Sequence, residues 1–136
     1  MERHGEEPRI VKCDSSDQEL ETIRSLVGEF LQSERQSLGV VCKTRAEAND
    51  LFQKIRHFSD RIYCVDFESE QFHDGIVVTF AHMAKGLEFD QAIVPFVNES
   101  NYRTDLDKSL LYIACTRAMH KLELTYTGEI TPFLRF

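Results

Sequence analysis

The chain has 136 residues, 42% of them hydrophobic and 10% aromatic, enough for one domain with a buried core of its own. Its formal net charge is −7, and residues 1–74 hold 16 acidic and 10 basic side chains against 7 and 6 in the remainder, so the basic stripe of an autonomous nucleic-acid binder is excluded. No apolar run approaches the roughly 18 residues of a membrane span, and the opening "MERHGEEPR" has no apolar signal region, which makes the cytoplasm the expected location and a membrane partner unexpected.

The charged opening, residues 1–8, reads as a flexible tail ahead of one domain spanning 9–136. "RIVKCD" (Arg9 to Asp14) alternates like a strand. "SSDQELETIRSLVGEFLQ" then starts with serine and aspartate caps and places Leu20, Ile23, Val27, Phe30 and Leu31 on one helical face. "LGVVC" (Leu38 to Cys42) is the continuous apolar run of a parallel strand covered on both sides, and a helix over Ala46 to His57 follows it. "RIYCVDF" (Arg61 to Phe67), "GIVVTF" (Gly75 to Phe80) and "QAIVPF" (Gln91 to Phe96) predict three more strands. A helix across Asp105 to His120 and a strand "KLELTY" (Lys121 to Tyr126) complete the pattern. Strands alternating with helices at this spacing predict an α/β fold with a parallel or mostly parallel sheet and helices on both faces, a class that carries its working loops at the carboxyl ends of the strands.

Cys13, Cys42, Cys64 and Cys115 are scattered without Cys-x-x-Cys or Cys/His spacing, and His57, His73 and His120 share no regular interval, so no metal site is predicted. Glu68 and Glu70 form a carboxylate pair without a visible acid or base partner and read as a solvated turn.

Two stretches resist a purely structural reading. "AHMAKGLEFD" leaves the strand that ends at Phe80 and enters another at Gln91. With Thr79 it offers a hydroxyl, the imidazole of His82, the ammonium of Lys85, the close-approach glycine Gly86 and the carboxylate of Glu88, a set suited to a phosphate-bearing ligand and a sugar hydroxyl. A solvated turn closed by glycine accounts for the same residues. In the predicted helix "LLYIACTRAMH", Leu111, Ala114, Cys115, Ala118 and Leu122 form one apolar face, and Leu106, Leu110, Ile113 and Arg117 a second. An arginine on a buried face needs an anionic partner. A structural carboxylate, the negative end of the helix dipole near Met119 and a phosphate from outside all meet that need.

"IVVTFAHMAKGLEFDQAIVP" resembles motif V, and "LLYIACTRAMHKLELTY" motif VI, of the UvrD/Rep-type superfamily 1 helicases, in the family's order and spacing. With "LGVVCKTRAEANDLFQKI" the resemblance covers roughly residues 38–126, and the wording of motif VI is similar to the HelD-like branch associated with RNA polymerase. The resemblance implies the second of two RecA-like motor domains, a three-layer sandwich with ATP bound in the cleft between the domains. It implies Arg117 as the arginine finger reaching the γ-phosphate, Gly86 and Glu88 near the nucleotide's ribose, and Thr79, His82 and Lys85 coupling that cleft to single-stranded DNA. ATP and Mg²⁺ would be shared with a phosphate-loop domain that holds the metal.

The sequence contains no G-x-x-x-x-G-K-[ST] loop and no Walker B acid pair, so this chain by itself is expected not to hydrolyse ATP. Larger members insert a subdomain ahead of motif V where this chain has only "ESEQFHDG". A rival reading from another class is a non-catalytic adaptor that kept the fold and binds RNA polymerase or another protein.

Overall fold

The computed structural model describes residues 7–64 and 75–135. The elements run β1 (Arg9–Cys13), α1 (Ser16–Leu31), β2 (Ser37–Cys42), α2 (Arg45–Ile55), β3 (Ile62–Cys64), β4 (Gly75–Phe80), a four-residue α3 (Ala81–Ala84), β5 (Phe89–Val94), α4 (Asp105–Cys115) and β6 (Ala118–Thr127). The six strands form one sheet in the order β1-β6-β5-β2-β4-β3, and every pairing in it is parallel. The expected mostly parallel α/β sheet is present in an all-parallel form. The described part of the expected strand Arg61 to Phe67 contains β3 (Ile62–Cys64); residues 65–74, with Glu68, Glu70 and His73, lie outside the described residues, as does the start of the tail expected at residues 1–8.

Alternation along the strands divides the interior into two cores, as a period of two requires. Val40, Ile76, Val78 and Ile93 point to one face, where Ile23, Leu26, Val27 and Phe30 of α1 and Ala48, Leu51 and Ile55 of α2 cover them. Val41, Val77, Ala92 and Val94 point to the other, against Ala84 of α3 and Leu111 and Ala114 of α4. Both faces of β2 and β4 are therefore wrapped, which is why these strands read as unbroken apolar runs.

Local chemistry sets the helix starts. Ser15, Thr44 and Thr104 each cap a helix by accepting a backbone N–H, and Asp107 returns the bond at Thr104 to close a capping box. One polar residue joins the face of α1: Glu19 is 2% exposed and accepts from the Phe96 N–H at 2.9 Å and from the hydroxyls of Thr125 and Thr127, both at 2.8 Å. Phe96 needs such a clamp, because its φ of 62° lies in the left-handed region that a bulky residue avoids.

The helix expected over Asp105 to His120 stops at Cys115. The hydroxyl of Thr116 donates to the carbonyls of Tyr112 and Ile113, and from Ala118 onward the backbone pairs with β5. Ala118 and Leu122 are thus strand residues, and the proposed second apolar face is not buried between layers: Leu106 is 69% exposed and Leu110 and Ile113 are half-buried. Among the described residues no helix is long and apolar enough to cross a membrane.

Candidate functional site

Because β4 and β5 are parallel, the chain leaving the carboxyl end of β4 at Phe80 must return to the amino end of β5 at Phe89. It does so in eight residues. The short α3 begins at the carboxyl edge; Lys85, with ψ of 128°, ends it, and Gly86, with φ of +85°, turns the chain downward. The stretch "AHMAKGLEFD" therefore does not lie wholly at the carboxyl ends of the strands. His82 is exposed near that edge, whereas Gly86 and Glu88 are exposed close to the amino edge. A β-carbon on Gly86 would meet nothing within 4 Å, so glycine is required there by the backbone turn and not by close approach, and the space in front of it is open.

Arg117 stands at the same amino edge, one residue before β6. Its carbonyl accepts the Phe89 N–H at 2.9 Å, and its guanidinium reaches back to the descending loop through Nη1 to the Leu87 carbonyl at 3.3 Å. Nε donates to the Ile113 carbonyl in the last turn of α4 at 3.0 Å, and Nη2 to the Thr116 hydroxyl at 3.1 Å. Of the internal partners the sequence left open, the carboxylate is not used, since no ion pair forms at Arg117 among the described residues; the helix-end carbonyl is. An arginine carries five N–H groups. Three are held by neutral acceptors, which fix the direction of this half-buried guanidinium without neutralising it.

Thr79 is placed differently from the expectation. It lies within β4, opposite Val41 of β2, and is 0% exposed, so it offers no surface to a strand of nucleic acid. Lys85 and His82 are both exposed. Asp90, the second acid of the stretch, is structural: its Oδ2 accepts from the backbone N–H of Gln36 and Ser37 at 2.8 and 3.3 Å, and its own N–H donates to the Ser37 hydroxyl. That bond set ties the loop ahead of β2 to the start of β5.

At the carboxyl edge, where the chain leaves β2 for one face and β5 for the other, a second polar cluster escaped the sequence reading. Lys43 Nζ donates to the Asn101 carbonyl at 2.6 Å and to Asp107 Oδ1 at 3.2 Å, and lies 5.7 Å from the centre of the buried Tyr102 ring. Glu47 joins both sides, accepting from the Lys43 N–H at 2.9 Å and from Asn101 Nδ2 at 3.0 Å. Only the post-strand position of Lys43 hinted at this, since the partners of its ammonium are more than fifty residues away.

The amino-edge residues fall within a recognisable segment. Residues 75–125 match the family model of the UvrD-like helicase C-terminal domain. That segment is similar to UvrD-like helicases. Among solved structures, the C-terminal domain of a possible DNA helicase from Lactobacillus plantarum WCFS1 is 27% identical, with a TM-score of 0.83 over 96% of this chain and 80% of that one. The UvsW helicase of bacteriophage T4 (16% identical, TM-score 0.57, 86% of this chain and 46% of that one) and the arterivirus nonstructural protein 10 helicase solved with DNA (15%, 0.55, 92% and 30%) share the fold. No curated protein matches the chain. The UvrD-like segment contains β4, the descending loop, α4 and Arg117, the parts that build the amino-edge site.

Proposed function

We propose that this chain is the C-terminal motor domain of an ATP-dependent DNA helicase or translocase, contributing half of an ATP site completed by a phosphate-loop domain. The observation that carries the reading is Arg117: a half-buried guanidinium directed by the Ile113, Leu87 and Thr116 oxygens, with no carboxylate paired to it among the described residues, beside the open turn at Gly86. In this reading Gly86 leaves room for the nucleotide, the Glu88 carboxylate accepts from a ribose hydroxyl, and Arg117 stabilises charge on the transferred phosphoryl group. Mg²⁺ is held by the phosphate-loop domain in the same reading. His82, near the carboxyl edge, and Lys85, at the end of α3, contact single-stranded DNA, with buried Thr79 as support. The HelD-like wording of motif VI makes RNA polymerase a further partner to test.

The experiment is Arg117→Ala in the protein that carries both domains. Stability should fall by only about 1 kcal/mol, because the lost acceptors are neutral. Single-turnover hydrolysis should fall by roughly a thousandfold or more, with nucleotide binding far less affected. A folded variant with full hydrolysis would overturn the finger assignment, and absence of hydrolysis from the parent protein would favour the adaptor reading.

A further inference from the structure

The two edges of the sheet are joined on one face by α4. At about 1.5 Å per residue, its 11 residues span about 16 Å, close to the height of the sheet. Its last turn bonds Arg117 through the Ile113 carbonyl, and its first turn is bonded to a different part of the fold. There Asp107 serves three partners at once: the N–H groups of Arg103 and Thr104 on Oδ2, and the Lys43 ammonium on Oδ1. The first two are local and would exist in an isolated helix. Lys43 is the tertiary bond, and with 19% of its side chain exposed it is a partly desolvated one. The same ammonium holds the Asn101 carbonyl, so the loop leading into α4 and the first turn of α4 share one anchor on the β2–α2 junction. What burial Asp107 has raises its pKa, but the two N–H groups and Lys43 outweigh it and bring the value from 3.8 down to about 2. Asp107 is therefore an anion whenever the protein is near neutral pH.

We propose that Lys43 is a positioning residue for the amino-edge site: it fixes the N-terminus of α4 to the end of β2, and the helix, moving as a rigid body, sets where Arg117 stands. A displacement of the Lys43 anchor at the carboxyl edge is thereby delivered to the amino edge. The consequence for catalysis rests on the reading of Arg117 given above, whereas the mechanical link does not.

The test uses amide hydrogen exchange across the whole chain and requires no nucleotide. Lys43→Met keeps the apolar stem over Tyr102 and removes the charge. It should accelerate exchange at the Arg117 and Phe89 amides by roughly tenfold relative to the β4 amides, the scale expected when one partly buried anchor of a locally opening unit is lost. Lys43→Arg should restore the parent rates. Acceleration confined to residues 101–107 would overturn the proposal, as would equal acceleration in β4, which reports general destabilisation, or failure of the arginine to rescue. Should Lys43→Met not fold, Asp107→Asn, which retains a capping side chain, gives the same reading: faster exchange at Arg117 and Phe89 supports the link and unchanged exchange sinks it.

Discussion

The ring of Phe89 occupies the space beside Gly39: a β-carbon on Gly39 would stand 2.3 Å from Phe89 Cδ2. Phe89 is fully buried and its N–H is held by the Arg117 carbonyl, so the glycine in β2 is what lets the first residue of β5 sit under the candidate site. Gly39→Ala should therefore destabilise the fold by about 1 to 3 kcal/mol, since a packed ring and two central strands must yield. It should also shift the Arg117 amide resonance. A variant with an unchanged denaturation midpoint would show that the ring moves freely.

Glu19 satisfies three donors from inside the protein. Glu19→Ala strands the Phe96 N–H and two threonine hydroxyls, and urea denaturation should register a loss of about 3 kcal/mol or more. Glu19→Gln keeps one acceptor and should fall between the two.

Two carboxylates should give pH dependences of opposite sign. Glu123 in β6 is 0% exposed; Gln91 Nε2 donates to one oxygen, and the other is buried 3.6 Å from Arg9 without a hydrogen bond. Burial raises its pKa above 4.5, against the opposing influence of Lys121, Gln91 and Arg9. The folded state thus holds that proton more tightly, and this group's stabilisation, complete below pH 4.5, is lost as pH rises through the elevated value. For Asp107 the folded value is lowered, so its contribution is present above pH 3.8 and disappears as pH falls through about 2. Melting temperatures across pH should show the high-pH slope vanish in Glu123→Gln and the acid slope shrink in Asp107→Asn; unaltered slopes in both would assign the titration elsewhere.

The isolated chain should show no ATP turnover, since its sequence has no phosphate loop or Walker B pair. Its net charge of −7 should leave single-stranded DNA binding weak and strongly salt-dependent. Fluorescence anisotropy giving a submicromolar Kd at physiological salt, or robust DNA-stimulated hydrolysis, would contradict the shared-site reading.

Local chemistry was enough for much of this molecule. The unbroken apolar run at Leu38–Cys42 pointed to a parallel strand covered on both sides, and the serine and aspartate caps ahead of the first helix marked its start, because hydration and capping act over a few neighbouring residues. Motif order also made the UvrD-like resemblance legible. What the tertiary structure decided depends on contacts that no local window contains. "LLYIACTRAMH" has helical periodicity throughout, yet its last residues belong to a strand, because pairing of Ala118 with Phe89 outweighs helix propensity beyond Cys115. The polar residues of "HMAKGLEFD" were visible as a group, but parallel connection of β4 to β5 stretches them from one edge of the sheet to the other. Glu19 looks in sequence like any surface acid of an amphipathic helix; the donors of Thr125, Thr127 and Phe96, more than seventy residues away, are what make its burial favourable. Arg117 was identifiable by type, and only the fold shows that its internal partners are carbonyl and hydroxyl oxygens, which hold a charge in place without cancelling it.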